Sequence, residues 1–474
     1  MAFGIFKKKH TADIIYRNGH IYTQDPEFPW AESVACKDGR VLAVGEFEGM
    51  DEITGSDTEV IDLNGKYMFP GFIDVHDTPS LQIFEDLYLS IDPVWDLDTV
   101  LEYTADYAQS CEDELIFGYG YNEHLLADYD DPEEAARLLD EIESERPVLL
   151  LGASGYHCWM NSAAAAMVAE MVEDDDAVPF ISPLDILMHI LSPFEDVEGL
   201  VRQQTLNLAD KGFTAVLDLC APEYFSLLYQ DCLLAMIGES EPVRQRYFAS
   251  LYVNRPLDRR MVLHRLSQGR TKCTEMDGLM TFDVLKLECC QDENLAFFPQ
   301  EELDGLCLAA CEKGFDIHLD ALDAESAEKA CRTFDKIRGK GYKNNALVLA
   351  AEKGVAEEAC RSANLDPDQL AFASTWPTDY LNKSVFGHVN SVEEAIDQLT
   401  VEAAAILGRS RDFGTIEQGK LADFTVFDEN PFDAGLKKFS GMHASMTIMD
   451  SLIVYDEEDE AANEMYDLMT SMRL

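Results

Sequence analysis

The spacing of apolar positions changes twice along the chain. From Ala12 to Met68, short β-rich runs are separated by turn residues: Asp13-Ile14-Ile15-Tyr16, Ser33-Val34-Ala35-Cys36, Arg40-Val41-Leu42-Ala43-Val44 and Glu59-Val60-Ile61-Asp62. This pattern predicts short antiparallel strands. Lys37-Asp38-Gly39 lies between two of them and signals a hairpin, because a tight primed turn needs residues that tolerate positive φ. From Phe69 to about Arg409 the period alternates. Apolar runs at Pro147–Leu151, Phe213–Leu219, Thr281–Leu287, Gly314–Leu319 and Leu370–Ser374 read as strands. Between them, Pro132–Ile142, Asp196–Lys211, Gln300–Glu312 and Ala324–Arg338 read as helices. Strands alternating with helices imply a parallel sheet, and at this length a (β/α)8 barrel is its economical closure.

Strand patterning returns from Gly414 to Tyr455, in Phe424–Phe427 and Met446–Tyr455. β-rich segments at both ends of the chain predict one discontinuous β-sandwich. The expected fold class is therefore α/β: a TIM-like (β/α)8 barrel over residues 69–411, with a small sandwich composed of 1–68 and 412–474. The charge run Asp456–Glu464 reads as a solvated helix or frayed end.

Composition narrows the function classes. The 474 residues carry 36 Lys plus Arg against 90 Asp plus Glu, a formal charge of −54, yet 47% are hydrophobic and 10% aromatic. That apolar content excludes intrinsic disorder. The negative field repels phosphate backbones and anionic lipid, which argues against nucleic-acid and membrane partners and points to a small-molecule substrate or ligand. Lys7, Lys8 and Lys9 are not followed by the apolar stretch of a signal peptide, and no apolar run approaches the ~18 residues of a membrane span, so a cytoplasmic protein is expected. The twelve cysteines include the neighbours Cys289 and Cys290 and the helically spaced Cys307 and Cys311, without a C-x-x-C pair. They read as reduced, buried thiols.

Phe69-Pro70-Gly71-Phe72-Ile73-Asp74-Val75-His76-Asp77 leads from a β-rich segment through Pro-Gly into a strand ending in Asp-x-His. Further on come Gly118-Tyr119-Gly120-Tyr121-Asn122, Gly155-Tyr156-His157-Cys158-Trp159-Met160-Asn161-Ser162 and Thr400–Gly408. The chain then reads Gly414-Thr415-Ile416-Glu417-Gln418-Gly419-Lys420-Leu421-Ala422-Asp423-Phe424 and Asn430-Pro431-Phe432. In this order the motifs resemble the amidohydrolase superfamily, in particular its amidohydrolase-3 branch of exoenzyme-like deacylases. The resemblance covers nearly the whole chain. It implies hydrolysis of non-peptide C–N bonds in a small molecule by water activated on one or two divalent ions at the C-terminal ends of the barrel strands, and it leaves a homo-oligomer open.

Carried over residue by residue, the family's ligand set is incomplete. Its H-x-H pair becomes His76 and Thr78, its Lys is kept as Lys286, and the His of the next strand becomes Asp320, with His318 two residues earlier on the same face. Leu347-Val348-Leu349-Ala350 offers no ligand, and the general-base Asp becomes Thr375. A metal, zinc or manganese, would have His76, Lys286 and Asp320, which only just reaches the three protein ligands plus water usual for catalytic zinc. Lys286 and Asp320 are the expected catalytic pair, and His157, Asn161, Asp218 and His318 the expected substrate-binding residues. Asp74, Asp218, Glu288, His318 and Asp320 are expected to form one acidic pocket. For His157 with Asn161, a structural loop anchor is the competing reading.

Three functions stay open. One is metal-assisted C–N hydrolysis; a second is a metal-free relative with a ligand-binding or structural role; a third is non-hydrolytic chemistry using Lys286 as base or Schiff-base amine. A buried ammonium needs a counter-charge, so in the metal-free case a Lys286–Asp320 ion pair is expected where the metal would be.

Overall fold

The computed structural model describes residues 11–75, 79, 83, 89–112, 114–127, 129, 131–152, 157–174, 197–219, 223–238, 243–253, 258–276, 278–289, 298–321, 323–351, 353–363, 365–367, 370–373 and 389–459. Its centre is a seven-stranded, wholly parallel half-barrel sheet. In spatial order its strands are Ala371–Ala373, Leu347–Ala350, Asp316–Asp320, Met280–Glu288, Arg246–Val253, Phe213–Asp218 and Phe72–Asp74. Helices intervene between successive strands, among them Arg259–Lys272, Gln300–Glu312, Ala324–Gly339 and Lys353–Ala363.

The two faces of this sheet can be told apart by period. Leu285, Leu287, Ile317, Leu319, Leu347 and Leu349 pack with helix residues such as Leu303, Cys307, Ala327 and Phe334. Ile73, Ala215, Leu217, Phe248, Val348 and Ala350 point the other way and share a second core. This second face is the inner one.

Pro147–Leu151, expected as a barrel strand, belongs to a different sheet. Val148–Gly152 lies in a four-stranded sheet with Cys158–Met160, Ile116–Tyr121 and Leu89–Ser90, and its pairing with Cys158–Met160 is antiparallel. An all-apolar run suits any strand buried on both faces, so the pattern alone could not assign the sheet.

The chain ends form two further sheets, Arg40–Gly45, Ser33–Lys37, Ile14–Arg17, Glu59–Asp62, and Leu452–Asp456, Met446–Met449, Phe424–Phe427, Tyr67–Pro70, His20–Tyr22, Trp30–Ala31. Residues of both share a core through Tyr16, Val34, Met68, Phe424 and Ile448. The expected hairpin is there, with Asp38 at φ 51° and Gly39 at φ 71°. Not every pairing is antiparallel: Ile14–Arg17 runs parallel to Glu59–Asp62, and His20–Tyr22 parallel to Tyr67–Pro70. Met446–Tyr455 is broken into two strands by Asp450 and Ser451, both at positive φ.

Two motif residues fix this arrangement. A Cβ on Gly71 would lie 2.2 Å from Thr214 Oγ1, so only glycine lets the first parallel strand approach the second. The Gly71 N–H donates to the Asp423 carbonyl at 2.8 Å, tying that strand to the returning C-terminal segment. The Asp423 carboxylate, almost fully buried, accepts from Arg246 Nε at 3.1 Å and from the Asp450 N–H at 2.8 Å, while Arg246 also pairs with Asp450. Among the described residues no helix is long and apolar enough to cross a membrane.

Removing one member of this network orphans a buried charge. Arg246→Ala should therefore cost about 3–5 kcal/mol in urea unfolding, whereas Arg246→Met with Asp423→Leu should recover most of that loss. Equal losses in the single and double variants would contradict the assignment.

Candidate active site

Strand register brings the central residues together. Lys286 lies opposite His318 and Tyr252, and Glu288 opposite Asp320, on three adjacent parallel strands. Because side chains alternate, Lys286 and Glu288 share the inner face with His318 and Asp320, while Leu285, Leu287, Ile317 and Leu319 face the helices. Lys286 is fully buried, at 0% exposure, and Asp320 is 5% exposed. Lys286 Nζ donates to Asp320 Oδ2 in a direct ion pair. His318 Nε2 lies 3.5 Å from the other oxygen, Asp320 Oδ1. Tyr252 O–H donates to Glu288 Oε1, also in the interior.

The electrostatics follow from this packing. Burial alone would raise the Asp320 carboxyl, but the Lys286 charge and the His318 contact outweigh it and hold the group below its ordinary value. Burial pushes the neighbouring Cys289 thiol up to about 12, so it stays protonated, and its N–H donates to the Asp320 carbonyl at 2.8 Å. Buried and protonated, Cys289 is poorly suited to act as a nucleophile.

At the opposite, less buried end of the same strand, Asp316 accepts from the Ala346 N–H at 2.7 Å. Burial, reinforced by Asp283, raises its carboxyl to about 6 against the opposing Ala346 bond and the charges of Arg409 and Arg270.

The other expected site residues are elsewhere. Asp218 follows Val216 in parity and faces the helix side, where its carboxylate accepts from Tyr247 O–H and the Tyr247 ring packs on Tyr229 at 5.2 Å. Asp74 pairs with Val216 in register, between the inner-facing Ile73 and Val75, so it too leaves the inner face. Both were expected at the mouth from their positions at strand ends. A period of two overrides that position.

Asn161 is a structural anchor. Its Oδ1 accepts from the N–H groups of Val148 and Ala164 at 3.0 and 2.8 Å, and its Nδ2 donates to the carbonyls of Glu143 and Arg146 at 2.8 and 2.9 Å. All four hydrogen-bonding positions of the amide are thus spent on backbone, which corrects the substrate-binding expectation. His157 is exposed, and its carbonyl accepts from the Gly152 N–H at 2.8 Å. His76, Thr78, Cys290 and Thr375 lie outside the described residues. Tyr252 was missed by sequence reading. The signal was its two-residue spacing after Ser250, which puts both on one face of the strand Arg246–Val253.

The known proteins similar to this chain agree with its architecture. The model of the amidohydrolase family matches residues 59–364 and 386–455. The chain belongs to the amidohydrolase family. YtcJ of Bacillus subtilis is 22% identical over 94% of this chain and 99% of its own length. The N-substituted formamide deformylase of Arthrobacter pascens is 28% identical over 94% of this chain and 98% of its own. Among solved structures, an uncharacterized metal-dependent hydrolase from Pyrococcus horikoshii superposes with a TM-score of 0.61 at 15% identity, covering 91% of this chain and 99% of that one, which shows the shared fold.

Taken alone, the described residues at the family's ligand positions do not make up a metal centre. Lys286 and Asp320 are committed to each other, and the strand Leu347–Ala350 turns only Val348 and Ala350 inward. Among the described residues no group of three His, Cys, Asp or Glu is arranged to hold a metal ion.

Two stability measurements follow. Lys286→Ala should destabilise by roughly 3–5 kcal/mol by leaving Asp320 buried and unpaired; an unchanged urea midpoint would refute the pair. Asp316 binds its proton more tightly folded than unfolded, so its contribution is fully present below about pH 4 and is lost as pH rises through about 6. Asp316→Asn, which keeps an acceptor for Ala346, should flatten the stability profile between those values and stabilise near pH 7 by up to about 3 kcal/mol; an unaltered profile would show that Asp316 does not titrate there.

Proposed function

We propose that this chain is a metal-independent member of the amidohydrolase family that binds a small molecule carrying a C–N bond at the inner face of the sheet, with the Lys286–Asp320 ion pair in place of the metal centre. The observation that supports this most directly is the pairing itself: a Lys ammonium held by a carboxylate, with no group of three metal-binding side chains among the described residues, neither bridges metals nor deprotonates water. The same pairing disfavours Schiff-base chemistry, since the amine nitrogen is held as the charged donor of that ion pair. His318 and the Tyr252–Glu288 pair supply hydrogen-bonding groups beside it. In this reading the parallel strands close into a (β/α)8 barrel, and the two terminal sheets form a sandwich against it. The ligand is a small molecule rather than nucleic acid or membrane, the location cytoplasmic, and a homo-oligomer is compatible with it.

Family membership favours a second reading, C–N hydrolysis with one zinc or manganese held by His76, Lys286 and Asp320. It requires Lys286 to leave Asp320 and to lose its charge.

Elemental analysis separates the two. Protein expressed with added zinc and manganese, and purified without chelator or metal-affinity resin, should carry far less than one metal per chain. The same protein should show a raised melting temperature with some member of a panel of small amides, ureas and carbamates. Near-stoichiometric metal that disappears in His76→Ala would overturn the first reading in favour of the second.

A further inference from the structure

Two helices behind the inner sheet carry cysteines that touch. Cys331 in Ala324–Gly339 and Cys360 in Lys353–Ala363 place their sulfur atoms 3.8 Å apart, and neither side chain is exposed. Both are free thiols. They belong to the same core as Cys289 and Cys307, but theirs is the direct sulfur–sulfur contact among the described residues. A disulfide needs the sulfurs at about 2.05 Å, so closure asks for a shift of under about 2 Å between neighbouring helices.

We propose that Cys331 and Cys360 form a latent disulfide site, closed by an oxidant of the peroxide class. One thiolate attacks a peroxide oxygen; the O–O bond breaks, hydroxide or alkoxide leaves and takes up the proton the thiol released, and a sulfenic acid remains on sulfur. The second thiolate attacks that sulfur, the S–O bond breaks, and hydroxide leaves and takes up a proton as water. Two thiols lose two electrons and the peroxide gains them. Burial raises both thiols, so the reaction draws on moments when the helix pair opens, and it is slow in the closed state.

The consequence follows from what these helices connect. Ala324–Gly339 follows the strand bearing His318 and Asp320, and Lys353–Ala363 follows the adjacent strand Leu347–Ala350. The bond would close a loop between positions 29 apart and fasten the outer layer behind the ion pair, restricting the unfolded chain.

The test is to expose the full chain to hydrogen peroxide, block remaining thiols by alkylation after unfolding, and map the peptides. The expected result is a linked peptide pair containing Cys331 and Cys360, loss of two alkylatable thiols, and a raised melting temperature that returns to its starting value with dithiothreitol. Cys331→Ala, Cys360→Ala and Cys360→Ser should each lose the linkage and the temperature shift, and the Ser and Ala variants together guard against a single misfolded control. Recovery of both thiols intact while the partly exposed Cys111, Cys158 and Cys232 are oxidised would overturn the proposal. So would a bond from either residue to Cys289 or Cys307 instead.

Discussion

A fully buried ammonium constrains everything around it. Lys286 sits where the sheet excludes water, and at that depth an uncompensated charge costs several kcal/mol even after relaxation. Asp320 supplies the counter-charge from the next strand, and strand period allows this because Lys286 and Asp320 both lie on the inner face. Held below its ordinary value by Lys286, the Asp320 carboxylate is a weak base, and Lys286 Nζ is its hydrogen-bond donor. What the site retains is polarity in a dry setting, which suits recognition of a small polar ligand.

The residues that match the family's pattern divide by role. Gly71 is required by the close approach to Thr214, Asp423 by Arg246 and the Asp450 N–H, and Asn161 by four backbone groups. Each of these acts mechanically. Among the positions the family uses on its metal, some hold other residues here, Asp320 in place of a His and Val348 and Ala350 on the next strand, while His76 and Lys286 are kept. Fold and site draw on different residues, so matches at the packing positions do not carry over to the site.

Much of the frame was legible in advance. The hairpin at Asp38-Gly39, the helix Gln300–Glu312 and the strands bearing Lys286 and Asp320 follow from local pattern, and the Lys286–Asp320 contact follows from charge compensation on neighbouring strands. What pattern missed is what depends on distant contacts. Val148–Gly152 reads the same in either sheet, and the parallel pairing of Ile14–Arg17 with Glu59–Asp62 leaves no local trace. Asp218 was misplaced because its nearness to the strand end was weighed above the alternation that points it at Tyr247. Asn161 could be a ligand contact or an anchor until its four partners were known.

The most direct measurement is anomalous diffraction at the zinc edge from crystals grown with excess zinc. An ion-paired centre gives no anomalous peak within bonding distance of Asp320, and density joins Lys286 Nζ to the Asp320 carboxylate. A peak bonded to Asp320 and His76, with added density on Lys286 Nζ, would contradict it.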